Sequence, residues 1–136
     1  MIARYIFDYK YPTLNEYINK CRTHWASGAK MKEKSDYATV MLLRLQKAKP
    51  IDEYPVDLVV KWHCKDKRKD VDNIHSSIKF ILDGMQKAGI IKGDGRKYIS
   101  QIYQQIVDDG KEYTEVYAYK KGEVSINERT DIQRNP

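Results

Sequence analysis

Hydrophobic and polar positions alternate along this chain with two periods, and the switches between them mark out the elements. Residues 2 to 9 are β-rich, with Ile2, Ile6 and Phe7 as core candidates, and Pro12 breaks the strand. From Leu14 to about Lys49 the spacing becomes helical, with Tyr17, Ile18, Cys21 and Trp25 on one face. Gly28 is expected to interrupt this run, leaving a second part from Ser35 that buries Tyr37, Val40, Met41, Leu43 or Leu45, and Ala48 before Pro50. The clearest strand follows. Val56, Leu58, Val60 and Trp62 alternate with Asp57, Lys61 and His63, the pattern of a half-buried strand.

A second helix begins near Asp72 or Asn73, either of which can act as N-cap. Ile74, Ile78, Ile81, Leu82 and Met85 make its apolar face, and Asp72, Ser76, Lys79 and Asp83 form the polar stripe opposite. Gly89 stops it, Ile90 and Ile91 turn inward, and residues 92–96 form a turn. Residues 98–107 read as a strand, Asp108-Asp109-Gly110-Lys111 as a hairpin turn, and Glu112 to Tyr119 as the return strand. The order β-α-α-β-α-β-β predicts an α+β fold, a small mixed β-sheet with helices packed on it, whose last two strands pair antiparallel. The domain is expected to span residues 1–120, with 121–136 a polar, disordered tail.

Length and charge narrow the class. At 136 residues the chain has room for one core and not for two. Its net charge of +6 points to an anionic partner, nucleic acid being the commonest. Cys21 and Cys64 make no disulfide framework, and His24, His63 and His75 lack zinc-site spacing. With no apolar run long enough to span a bilayer, a cytoplasmic protein without membrane contact is expected.

The chemistry gathers where the central strand ends. Lys65, Lys67, Arg68 and Lys69 immediately precede two carboxylates one residue apart, Asp70 and Asp72. Paired carboxylates are what a hard divalent cation takes, since Mg²⁺ binds oxygen and keeps waters and substrate phosphates in its shell. Clustered cations are what a phosphate backbone takes. An Asp-x-Asp before a helix is most often only a cap and a solvated turn, and a charge run is most often a solvated loop. Their adjacency favours metal-dependent chemistry on a phosphodiester. Tyr98 and Tyr103 are placed to stack on bases.

Three runs then carry a family resemblance: Asp70-Val71-Asp72-Asn73, Lys79-Phe80-Ile81-Leu82-Asp83-Gly84-Met85, and Lys87-Ala88-Gly89-Ile90-Ile91-Lys92-Gly93-Asp94. Together they resemble the core of the RusA-type Holliday junction resolvases over roughly residues 58–107. Pro12-Thr13-Leu14-Asn15-Glu16-Tyr17 is a weaker echo of that family's N-terminal segment. Two positions depart from the pattern. Ser76 stands where the family lysine usually falls, and Lys79 keeps the four-residue spacing to Asp83, as a three-residue insertion would leave it. Gly93 replaces the first of the family's two closing aspartates.

The resemblance implies a homodimeric, Mg²⁺-dependent endodeoxyribonuclease, with Mn²⁺ as a substitute, that resolves four-way DNA junctions by paired nicks. It implies Asp70, Asp72 and Asp94 as metal ligands and Lys79 as the cation on the scissile phosphate. Lys65, Lys67, Arg68 and Lys69 would be DNA contacts. Asn73 would orient a carboxylate or cap the helix, and Asp83 would orient Lys79. A phage or prophage origin is typical of such proteins. Two rivals share the same residues: a non-catalytic DNA-binding module of this fold, and a nuclease for other branched DNA.

Overall fold

The computed structural model describes residues 1–124 and is a mixed α+β domain. In chain order it comprises β1 (Ala3–Phe7), α1 (Leu14–Thr23), α2 (Trp25–Leu45), β2 (Val56–His63), α3 (Val71–Ser76), α4 (Ile78–Lys87), β3 (Ile99–Val107) and β4 (Tyr113–Lys120). The four strands form one sheet in the order β1-β4-β2-β3. Strand β4 is antiparallel to both its neighbours, and β2 pairs parallel with β3. No helix among the described residues is long and apolar enough to cross a membrane.

The pairing differs from the hairpin expected of the last two strands. Val107 at the end of β3 and Tyr113 at the start of β4 both face His63, so residues 108–112 step across the end of β2. The loop holds its turn with Gly110 at φ 77°. The Asp-Gly signal marked a turn correctly, but a strand lies between the two it joins. Placing β2 at the centre buries it on both faces, so it is not half-buried as its alternation suggested. Asp57 is 1% exposed and accepts from Gly122 N at 2.9 Å, and Val59 lies across the ladder from Tyr103 and Tyr117.

Val56, Leu58, Val60 and Trp62 of β2 join Tyr5 and Phe7 of β1 and Val116 and Ala118 of β4 in the core. Phe80, Ile81 and Met85 of α4 and Leu43 of α2 cover them. In β1 the buried side chains are Tyr5 and Phe7, while Ile2 is exposed and Ile6 half-buried.

The long helical run breaks at His24, not at Gly28. His24 is extended, and its Nδ1 accepts from Ala26 N, so it closes α1 and caps α2. Gly28 has another use: a Cβ there would lie 2.2 Å from Cys21 Sγ, so the glycine lets α1 approach α2. Thr13 caps helix α1, its Oγ1 accepting from Glu16 N and donating to the Glu16 carboxylate.

The face that α2 buries is polar. Ser35, Asp36, Thr39 and Leu43 point inward, while Tyr37 is 69% and Leu45 75% exposed. Trp25 and Ile18, expected on an apolar face, are also exposed. Most of these polar groups are paired: Ser35 donates to Met31 O, and Thr39 bonds Ser35 O and the Tyr11 hydroxyl. Asp36 Oδ2 takes Lys87 at 2.6 Å and Lys32 at 3.3 Å.

Gly89, at φ 75°, ends α4 as its position predicted and returns Ile90 N to Met85 O. Residues 121–124, expected in the tail, belong to the folded domain: Val124 is buried and Glu123 N donates to Lys120 O. The remainder of that expectation, residues 125–136, lies outside the described residues.

Candidate nucleic-acid and metal site

Strand β2 delivers the basic loop and the aspartate pair at its C-terminal end. Cys64 N donates to Val107 O, and the chain then leaves the sheet through residues 65–69. Asp70, extended at φ −70° and ψ 154°, is the N-cap of α3, a place expected of Asp72 or Asn73. Its carboxylate makes no capping bond. Asp72 falls in the first turn and accepts from Asn73 N at 2.9 Å. The helix is not continuous: α3 closes at Ser76, and Ser77, donating to Pro12 O, separates it from α4. Buried Ser77 anchors this corner to the β1–α1 connection, and Ser76 Oγ accepts there from Leu14 N.

Asp70 and Asp72 are both exposed and form no ion pair among the described residues. The adjoining cations divide into two kinds. Arg68 folds back on Asp66, and Lys69 reaches Glu16 on α1 at 3.6 Å, which fixes the loop. Lys65 and Lys67 have no carboxylate in reach among the described residues and point their charge at solvent. A concavity of about 270 Å³ opens beside them, with Tyr11, Trp62 and Tyr113 among its walls.

Asp94 stands elsewhere. Lys92 N donates to the Tyr54 hydroxyl, and Tyr98 O accepts from Val56 N, so the 92–96 turn sits at the N-terminal end of β2. The topology requires this separation. In a parallel β-α-β crossover the helix returns the chain to the end where both strands start, leaving the two connections a full strand apart. Eight residues of β2 make that about 23 Å. Accordingly, no group of three or more His, Cys, Asp or Glu among the described residues could hold a metal ion.

Lys79 is tied to Asp83, 3.8 Å away, and Asp83 also takes Lys32 from α2 at 3.3 Å. The expected partnership of Asp83 with Lys79 is therefore present in space, although it belongs to a network between α2 and α4. Asp72 and Lys79 lie on different helices, α3 and α4, on either side of Ser77. Asn73 is half-buried, and its carbonyl accepts from Ser76 Oγ. Tyr98 packs edge-on against Tyr54. A Cβ at Gly93 would lie 2.7 Å from the Tyr98 ring, so a side chain at 93 would require Tyr98 to move.

No protein-family model and no curated protein matches the chain. What the site can do is carried by its own residues.

One cluster beside the basic loop was not foreseen. His63 places Nδ1 2.7 Å from Asp109 and Nε2 2.7 Å from Glu115, with its ring stacked on Tyr113 at 4.0 Å. Arg4 and the Tyr117 hydroxyl both reach the other Glu115 oxygen at 2.6 Å. Burial pushes the Glu115 carboxyl up, but bonds from Tyr117, Arg4 and His63 outweigh it and bring it down to about 2. The His63 bond holds Asp109 low as well. Recognising the cluster in sequence required knowing that β4 lies beside both β1 and β2.

Proposed function

We propose that this chain is a metal-dependent endodeoxyribonuclease of the RusA type, acting on branched DNA and on four-way junctions in particular. The observation that carries the reading is the pair of exposed, unneutralised carboxylates of Asp70 and Asp72 directly after a loop whose Lys65 and Lys67 are also unneutralised. Carboxylate oxygens free of protein cations suit Mg²⁺, or Mn²⁺ in its place, and Asp70 and Asp72 would hold it. When bound, such an ion polarises a phosphoryl oxygen and lowers the pKa of its water. Lys65 and Lys67, with Arg68 and Lys69, grip phosphates flanking the cut and fix register without reading sequence. Lys79 would neutralise charge on the scissile phosphate, with Asp83 holding its ammonium one turn away.

The third ligand, Asp94, requires a second subunit. Strand β3 is an outer strand of the sheet, and its nine residues, ISQIYQQIV, include no charge and no proline. Those are the devices that usually keep an edge from pairing. Antiparallel pairing of two β3 strands about a twofold axis makes a self-complementary interface. It also carries Asp94 of the partner subunit to the end of the sheet that holds Asp70 and Asp72. The same axis gives two equivalent sites, as paired nicks require.

Cleavage of a labelled four-way junction by wild type and Asp72→Asn, with Mg²⁺ or EDTA, tests the activity. Paired nicks by wild type only, and only with metal, are the expected outcome. A second reading, a junction-binding module without chemistry, is favoured by the distance of Asp94 from the pair within one chain. Tight junction binding with no cleavage by wild type would select it. Equal cleavage of forks or flaps would move the substrate to other branched DNA.

A further inference from the structure

Two concavities meet at the segment Tyr9-Lys10-Tyr11, which leads from β1 towards α1. One is the 270 Å³ concavity beside the basic loop, and the other, about 400 Å³, runs between α1 and α2. Lys10, Lys20, Lys30 and Lys34 line the second, all exposed and with Glu16 as its one acidic residue. None of these four lysines has a carboxylate within ion-pair distance among the described residues, whereas Lys32 on the neighbouring face of α2 is paired twice. Like charges left unpaired around a groove repel one another, and an anion relieves that.

The wall between the two concavities is aromatic. Tyr11 is buried, held by its hydroxyl to Thr39 and edge-on to Phe7, and so is a fixed support. Tyr9 packs edge-on against it at 4.8 Å and remains half-buried, with part of its ring open to the grooves. A rigid aromatic ring between two runs of free cations is the arrangement that binds single strands: bases stack while phosphates are neutralised on either side. Duplex DNA has its bases stacked internally and offers Tyr9 nothing but backbone.

We infer that the Tyr9–Tyr11 ridge and the lysine groove of α1 and α2 form a binding track for single-stranded DNA, one that leads an unpaired strand towards the basic loop. It shares with the proposed function the premise of a nucleic-acid partner, and needs neither the metal nor Asp94. Among four-way junctions, those whose branch point carries unpaired nucleotides are then held more tightly than fully paired ones.

Fluorescence anisotropy of labelled oligo(dT) of about 12 nucleotides, against a blunt duplex of equal length and both in EDTA, tests the track on the full chain. Oligo(dT) is expected to bind more tightly than the duplex. Tyr9→Leu should weaken oligo(dT) binding about 5- to 150-fold, the loss of one stacked base, and leave the duplex within about twofold. Lys30→Ala/Lys34→Ala should lower the slope of log K against log salt for oligo(dT) by about 1.4, two single-strand phosphate contacts. Those two lysines are exposed helix residues, so this variant tests the track even where Tyr9→Leu disturbs packing.

Equal or tighter duplex binding, an equal effect of Tyr9→Leu on both probes, or an unchanged salt slope would each overturn the inference. Junction cleavage by wild type without oligo(dT) preference would remove the track and leave the nuclease. Oligo(dT) preference without cleavage would do the reverse.

Discussion

His63 and Glu115 meet at 2.7 Å, and through them the end of the central strand is locked to β1, β4 and the loop that steps over it. Because the folded-state pKa of Glu115 lies below its ordinary value of 4.5, its contribution is present in full above that pH. It is lost as pH falls towards about 2. For so large a shift on a buried group the loss is of the order of 3 kcal/mol. Glu115→Gln should therefore lower stability near neutrality and flatten the acid limb of a denaturation profile below about pH 4.5. An acid limb of unchanged steepness would contradict it.

His75 adds an earlier limb. Its Nε2 is buried with no hydrogen-bond partner among the described residues, and burial lowers its pKa from 6.5. The unfolded chain then takes up a proton that the folded one refuses, so stability declines as pH drops below about 6.5. His75→Leu should remove the decline that sets in below about pH 6.5 in urea titrations, leaving the Glu115 limb in place.

Gly84 and Gly28 are both packing glycines, and they should differ in tolerance. A Cβ at 84 would lie 2.5 Å from both Cβ and Cγ2 of Thr39, a branched, buried side chain held by Ser35 and Tyr11. At 28 the first obstacle is the Sγ of exposed Cys21. Gly84→Ala should cost about 3 kcal/mol and Gly28→Ala about 1, with Cys21→Ala recovering part of the latter. Denaturant midpoints measure both.

Asp36 is 4% exposed and faces Lys87 and Lys32. Replacing both lysines with methionine leaves a buried carboxylate without a cation, which should cost about 3–5 kcal/mol. Asp36→Asn in that background should recover much of the loss. An additive result in the double-mutant cycle would contradict the coupling.

The sequence carried the elements, and the sheet order stayed hidden in it. Alternation located β2, and Gly89 located the end of α4, because both are local signals. The neighbours of β4 depend on a crossing that Asp108–Lys111 cannot reveal, since the same turn residues serve a hairpin or a longer step. The buried face of α2 escapes the apolar pattern for a different reason: Asp36 and Thr39 find partners on other elements, Lys87 and Tyr11, and Ser35 bonds back to Met31 O, while Tyr37 and Leu45 are left outside. At the site, the loop and the Asp70–Asp72 pair are contiguous in sequence and so were legible. That Asp94 lies a strand length away follows from β2 and β3 being parallel, which no residue pattern announced.

The arrangement in which Asp94 serves the partner's site is tested most directly by mixing inactive variants. The Asp72→Asn and Asp94→Asn variants, each on its own, should fail to nick a four-way junction in Mg²⁺. Co-refolded together, they should regain roughly a quarter of wild-type sites, since random pairing makes half the dimers mixed and each mixed dimer keeps one intact site. Wild-type cleavage with no recovery in the mixture would show that each chain builds its site alone, and would contradict the account.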